Sequence, residues 1–248
     1  MKIALIGYGK MGKMVEAKAL DRGHKIVSII DPKEEKATHR EISEESLSGA
    51  NVCIDFTHPL VVVENINKVS GFGKNIVVGT TGWYDQLDSV KEEIDLNKTG
   101  LIYASNFSVG MNILFKLTEY AAKIFDNFSD YDVAGIEYHH NKKADSPSGT
   151  AKSLAEIIQE NIARKKRINY DKIDRKIEDD ELHFASLRVG SVPGTHKILF
   201  DSNADTVELS HTARNREGFA LGAVIAAEWI NKKIGVYTIN DLMNEVIK

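Results

Sequence analysis

Three glycines near the start constrain the fold of this chain more than any other feature. The run "IALIGYGKMG", residues 3–12, sets Gly7, Gly9 and Gly12 in G-x-G-x-x-G spacing between an apolar strand pattern and a helical one. A strand that turns through such a loop into a helix opens a βαβ unit, whose crossover is right-handed. Gly7 permits the tight turn, Gly9 lets the backbone approach a pyrophosphate, and Gly12 lets the helix pack close to the strand. The free N–H groups of the helix start then face the phosphates. The hexapeptide alone is weakly specific; its placement between strand and helix gives it weight.

Asp31 closes the second strand 19 residues after Gly12. An acid there suits the 2′- and 3′-hydroxyls of an NAD ribose. Lys33 and Lys36 follow at once, and either would suit a 2′-phosphate, so NADP stays open beside NAD. The plainer reading is that Asp31-Pro32 only begins a turn. Two further loops follow strands: "VVGTTGWY", with Gly79, Thr80 and Thr81, and "ASNFSVG" from Ala104. Each alone reads as an ordinary turn. Together with the glycine loop they line the carboxyl edge of one sheet, where open α/β sheets bind ligands.

Strand patterns at Ile3–Ile6, Ile26–Ile30, Val52–Phe56, Ile76–Val78 and Leu101–Tyr103 alternate with helical patterns starting near Lys10, Leu60 and Tyr84. Such alternation predicts a mostly parallel sheet. Pro32–Ser48 reads as a polar surface loop. The plan changes after Ser108. Leu114, Leu117, Ala121 and Ile124 recur at helical spacing and predict a helix over Met111–Phe125. A strand over Asp132–Tyr138 and a helix through Ala151, Leu154, Ala155, Ile158 and Ile162 come next. Arg164–Asp180 is charged and expected to be exposed. Three β-like runs without intervening helices, "HFASLRVG", "GTHKILFDS" and "DTVELSHTA", predict an open or antiparallel arrangement. Helices from Glu217 and near Asp241–Val246 return to the first plan. The expected architecture is an α/β Rossmann-like dinucleotide-binding domain, residues 1–107 and 218–248, interrupted by an α+β domain with a mixed open sheet, residues 108–217.

Composition excludes several classes of function. At 42% hydrophobic and 27% charged over 248 residues, the chain can bury a large core in one or two domains. A net charge of −4 gives no reason to expect nucleic acid or an acidic membrane surface as partner. The lone cysteine, Cys53, excludes an intrachain disulfide and reads as a small core residue. The start is broken too early by glycine for a signal peptide, and the longest apolar run, "FALGAVIAA", is far below the ~20 residues of a membrane span. The cytoplasm is the default expectation.

The densest chemistry lies in "HHNKKADSPSGTA", residues 139–151. His139 and His140 are adjacent, so on a strand they face opposite ways. They lack the spacing and companions of a zinc site, and no metal is expected. Lys142 and Lys143 add fixed positive charge. Ser146, Pro147 and Ser148 suit a helix start, after which Gly149 and Thr150 expose N–H groups and a hydroxyl to an anion. Taken singly, each residue reads as a surface lysine, a capping serine or a structural histidine. Clustered, they suit a small anionic substrate that must be protonated.

"EYHHNKKADSPSGTA" resembles the signature of the dihydrodipicolinate reductase family, E-x-H-H-x-x-K-x-D-x-P-S-G-T-A, at every fixed position. The resemblance runs nearly end to end, through the glycine loop, "IDFTHP", "GTTG", "NFSVG", "RVGSVPGTH" and "SHTARNREGFALGAV". It implies an NADH- or NADPH-dependent oxidoreductase that reduces 4-hydroxy-tetrahydrodipicolinate, a small dicarboxylate of the diaminopimelate route to L-lysine, and a homotetramer formed through the second domain. By motif position it makes His139 the proton donor/acceptor and Lys143 the second catalytic residue, with His140, Gly149 and Thr150 on substrate. It places Gly7, Tyr8, Gly9, Lys10, Met11, Gly12, Gly79, Thr80, Thr81, Ala104, Ser105, Asn106 and Phe107 on the cofactor, beside Asp31 and Lys33. Two departures stand out. Ile6 occupies the first position of the family's usual G-x-x-G-x-M-G loop, and Pro32 follows the ribose acid where arginine is frequent. Another small amino-acid dehydrogenase would account for the glycine loop but not for residues 139–151. A non-catalytic NAD(P)-binding sensor would not need His139 and Lys143 together.

Overall fold

The alternation of apolar and helical runs resolves, in a computed structural model that describes residues 1–246, into two compact units, Met1–Asn112 with Arg216–Lys248 and Ile113–Asn215. Their boundaries fall inside one helix and just before another, a few residues from the expected division. Residues 247 and 248, part of the expected first domain, lie outside the described residues.

The first unit contains β1 (Lys2–Ile6), α1 (Lys10–Asp21), β2 (Lys25–Ile30), β3 (Val52–Asp55), α2 (Pro59–Gly71), β4 (Asn75–Val78), a 3₁₀ turn (Tyr84–Gln86), α3 (Leu87–Asn97) and β5 (Gly100–Tyr103). After the second unit it resumes with α6 (Glu217–Ile230), β11 (Gly235–Thr238) and α7 (Ile239–Val246). The helical pattern expected from Tyr84 therefore opens as a 3₁₀ turn, and β11 is a strand that periodicity did not reveal. All pairings are parallel, in the order β11-β5-β4-β3-β1-β2. Strand order reverses between β1 and β3, so the loops after β1, β2 and β3 open at one crevice. Two apolar clusters cover the two faces of the sheet, which is why β3 is buried along its whole length. Cys53 lies within it, and burial pushes its thiol up to about 12, as befits a core residue.

Helix α6 approaches the loop after β5 at close range because Gly222 has no side chain. A Cβ there would fall 1.7 Å from the Phe107 carbonyl oxygen. Gly222→Ala is therefore expected to destabilise the protein by roughly 1–3 kcal/mol through forced displacement of backbone. Thermal melting followed by circular dichroism checks this; an unchanged midpoint would mean that the helix can shift freely.

The second unit carries the remainder of α4 (Val109–Phe125), then β6 (Asp132–His139), α5 (Gly149–Asn161), β7 (Arg167–Asn169), β8 (Glu181–Arg188), β9 (Thr195–Asp201) and β10 (Thr206–Thr212). Its sheet, β10-β9-β6-β8-β7, is mixed: β6 pairs parallel with β8 and antiparallel with β9. The helix expected over Met111–Phe125 is present as α4, and one expectation, the exposure of Arg164–Asp180, is corrected here. In α4 the buried stripe is Leu114, Thr118 and Ala122, whereas Leu117 and Ile124 are exposed with Ile113, Tyr120 and Phe128. The helix is apolar on more than one face, so periodicity did not select the buried one. Arg164–Asp180 is not uniformly exposed. Lys165 is buried, its Nζ donating to the carbonyls of Asp179 and Glu181 and meeting Asp132 at 2.6 Å, and β7 lies within the segment. A buried ammonium needs such partners, and they come from residues distant in sequence.

Candidate active site

In the first unit the glycine loop has the geometry its spacing implies. Gly7 has φ +85°, and a Cβ on it would strike the Phe56 carbonyl at 2.5 Å. A Cβ on Gly12 would fall 2.3 Å from the Gly7 carbonyl, so α1 rests directly on the turn. Gly9 has nothing within 4 Å of that position, and it precedes α1 without a side-chain cap. Open space at Gly9 and an uncapped helix start, with Lys10 and Met11 in the first turn, fit a pyrophosphate. Tyr8 turns its ring into the core, its hydroxyl bonded to Glu16 and its pKa raised to about 12 chiefly by that bond.

Asp31 is tied down by backbone. Its carboxylate accepts N–H bonds from Tyr8 (2.8 Å), Lys33 (2.8 Å) and Glu34 (3.1 Å). Burial alone would raise its pKa; those donors and the nearby Arg40 charge outweigh burial and hold it below the usual range. The side chains of Lys33 and Lys36 are exposed. Arg40 was not among the expected residues. Its guanidinium donates to the carbonyls of Glu34 (2.7 Å) and Asp31 (3.3 Å), seating a cation on the turn that carries the acid.

The loops after β4 and β5 meet across a cavity of about 240 Å³. Its walls bring together Met11, Gly79, Ala104, Ser105 and Phe107, with Phe56, Arg216 and Phe219. The last three were missed as site residues, although "IDFTHP" and "REGF" carry them. Gly79 is required by Phe56, whose ring would lie 2.1 Å from a Cβ there. Thr80 is buried, donating to Asp55 and accepting from the Thr57 N–H, while Thr81 is exposed. Asn106 is spent locally, its side chain accepting the Ser108 N–H. A larger groove, about 710 Å³, runs along Pro59, Leu60 and Gln86; no glycine-loop residue lines it.

In the second unit β6 delivers Glu137 and His139 to one face and leads into the loop that carries His140 and Lys143. The His139 side chain is 11% exposed, and its Nε2 lies 3.3 Å from the Glu137 carboxylate. Desolvation lowers the His139 pKa; Glu137 opposes this, while His196, Lys143 and Arg188 add to it. Lys143 pairs with the exposed Asp145 at 2.7 Å. Nδ1 of His140 is buried without a hydrogen-bond partner. Ser148 caps α5: its hydroxyl accepts the Ala151 N–H (3.1 Å) and donates to Glu137. Gly149 is open to approach, with nothing within 4 Å of a Cβ position, and Thr150 follows in the first turn of α5.

Glu137, His139 and His196 hold ligand-type atoms within 4.8 Å of one another. The carboxylate is already engaged by two serine hydroxyls and by Arg188 at 3.1 Å. A dication there would face a fixed guanidinium beside its single anionic ligand, so the donor set suits protons better than a metal.

A parallel sheet with a glycine loop at its switch point, on a chain whose other unit bears a histidine–lysine cluster, is the plan of a dinucleotide-binding oxidoreductase. Residues 1–107 match the family described as "Dihydrodipicolinate reductase, N-terminus", and residues 110–243 match "Dihydrodipicolinate reductase, C-terminus". The 4-hydroxy-tetrahydrodipicolinate reductase of Christiangramia forsetii is 38% identical, with all of both chains covered. That of Staphylococcus carnosus is 36% identical over 98% of this chain and all of its own. Among solved structures, a dipicolinate-bound dihydrodipicolinate reductase from Paenisporosarcina superimposes with a TM-score of 0.80 at 24% identity, covering 98% of this chain and 99% of that one. The chain belongs to the dihydrodipicolinate reductase family, whose members are NAD(P)H-dependent reductases.

Proposed function

We propose that this chain reduces 4-hydroxy-tetrahydrodipicolinate to tetrahydrodipicolinate in the route to L-lysine, with residues 139–150 holding and protonating the substrate. The observation that carries the reading is the convergence in one unit of a partly buried histidine, a lysine and an open helix start on a chain of this family. Loss of the 4-hydroxyl as water leaves a conjugated ring, to which NADH or NADPH, when bound, would supply a hydride. The remaining work belongs to side chains. His139 gives the proton that balances the added hydride. Lys143 steadies negative charge as it develops and holds one substrate carboxylate, with Asp145 as its exchangeable resting partner. The N–H groups and hydroxyl of Gly149 and Thr150 hold the other carboxylate at the start of α5. His140, with a buried unpartnered nitrogen, is a further substrate contact.

A His139 that rests neutral is a poor acid until its surroundings change. The substrate brings two negative charges, and binding it raises the tendency of His139 to hold a proton. The enzyme thereby acquires its acid form together with the molecule it must protonate.

The reading extends to assembly and location. Unit two leaves the apolar stripe Ile113, Leu117, Tyr120, Ile124 and Phe128 exposed, which supports a homotetramer. Among the described residues no helix is long and apolar enough to cross a membrane, which is consistent with work in the cytoplasm.

The main experiment couples the preceding synthase, fed with pyruvate and aspartate semialdehyde, to loss of nicotinamide absorbance. Synthase-dependent oxidation is expected; none with either nucleotide, despite measured nucleotide binding, would overturn the function. Asp31 supports the ribose hydroxyls and Arg40 a 2′-phosphate, so both nucleotides serve. Arg40→Gln is expected to cost NADPH about tenfold in affinity, the equivalent of one charge-assisted hydrogen bond, and NADH less than about twofold. Calorimetric titration reads both. Equal losses would remove Arg40 from discrimination. Asp31→Ala is a blunter probe, because it also releases three loop N–H groups.

A further inference from the structure

We propose that Glu137 is the positioning residue for His139, its buried carboxylate holding the Nε2 edge of the imidazole so that Nδ1 is the nitrogen that exchanges a proton with substrate. The inference rests on the assignment of His139 as the acid and adds the atom and the support.

The support is set by strand register. Ser186, Glu137, His196 and His211 stand opposite one another on β8, β6, β9 and β10, so their side chains share one face. His139, two residues further along β6, projects from the same face, opposite Arg188. Glu137 is fully buried. Its Oε1 accepts from the Ser148 N–H (3.0 Å), the Ser186 hydroxyl (2.8 Å) and Arg188 (3.1 Å). Its Oε2 accepts from the Ser148 hydroxyl and faces Nε2 of both His139 (3.3 Å) and His196 (3.5 Å). One oxygen is therefore saturated, and the other is aimed at the two rings. Burial alone would raise the Glu137 pKa, but the bonds from His196, Ser148 and Ser186 together hold it far below the ordinary range. The group is a fixed anion.

Nε2 of His139 is sealed from solvent and makes no aligned hydrogen bond. A lone pair turned toward a carboxylate is repelled, whereas an N–H is attracted, so the neutral ring keeps its hydrogen on Nε2. The second proton, the one that can be given away, then resides on Nδ1. A missing side chain leaves room beside the ring: a Cβ on Gly194 would fall 2.8 Å from Cε1, 3.4 Å from Nδ1 and 3.6 Å from Nε2. The charged or titratable groups acting on His139 are Glu137 on its own strand, His196 from β9, Arg188 from β8 and Lys143 from the following loop. Glu137 alone is anionic, so it alone favours the protonated ring.

Glu137→Gln keeps the shape and an acceptor for the Ser148 N–H but removes the charge. It is expected to lower kcat about 20-fold, part of the 10²- to 10⁴-fold that a general acid contributes, with KM within about threefold. The alkaline limb of kcat should move to lower pH, because desolvation and the cations then act unopposed. Glu137→Asp, which retains the charge, should return the limb toward its original position. A folded Glu137→Gln enzyme with an unmoved limb would overturn the proposal. A second measurement needs no Glu137 variant: two-bond nitrogen–proton spectra of the wild-type protein, with the His139 signal assigned by its loss in His139→Asn. A neutral ring protonated on Nε2 is expected, and one protonated on Nδ1 would overturn the proposal. If the wild type shows no synthase-dependent turnover, the functional reading fails, while the spectra still decide the tautomer.

Discussion

Lys143→Ala is expected to lower kcat by about 10²- to 10³-fold, the cost of removing a fixed charge aimed at a developing anion. NADH and NADPH affinities should stay within about twofold of wild type. Lys143 is placed to provide this charge because its ammonium is not spent on a buried partner. The Asp145 that it meets at 2.7 Å is 58% exposed, so water competes for the pair and little is lost when a substrate carboxylate replaces it. Stopped-flow turnover and calorimetry of each nucleotide separate the two effects. Turnover near wild type would dismiss the assigned role. A matching loss of nucleotide affinity would show that the residue acts through folding or cofactor binding instead.

His139→Asn should cost about 10²- to 10³-fold in kcat, within the range for a lost general acid, and should flatten the alkaline limb of the pH profile. The wild-type profiles test the same residue without mutation. A proton donor works below its pKa, so activity falls as pH rises through that value. In the free protein the His139 pKa is lowered, chiefly by desolvation. The bound dicarboxylate raises it. The kcat/KM profile reports the free enzyme and the kcat profile the complex, so the kcat/KM limb should lie at lower pH than the kcat limb. Coincident limbs, or a limb that survives in His139→Asn, would assign the titration to another group.

Much of the fold and part of the site are legible in the amino-acid sequence, and the reason is locality. A strand, a turn at positive φ and a helix start are made by neighbouring residues, so Gly7, Gly9 and Gly12 specify their loop wherever it sits. The parallel first sheet follows from alternating periods, and Ser148 caps α5 where the serine-rich turn implied. The cluster of His139, Lys143, Gly149 and Thr150 stands out because its members are crowded within a dozen residues.

What is not legible there depends on register and burial. Glu137 looks like any strand glutamate until β8 and β9 bring Ser186, Arg188 and His196 beside it. Arg40 takes its place only because the polar loop folds back on the carbonyls of Asp31 and Glu34. Phe56 and Phe219 become walls of one cavity although more than half the chain separates them. The apolar residues of α4 divide into a buried and an exposed stripe that periodicity could not rank, and Lys165 is buried against expectation. The sequence by itself determined the glycine loop, the strand–helix alternation and the crowded acid–cation motif, because each is stabilised within a few residues of chain. The tertiary structure decided which nitrogen of His139 faces a carboxylate, which cation sits beside Asp31 and which apolar faces stay open, because those depend on desolvation and cross-strand partners that exist only once distant segments have packed.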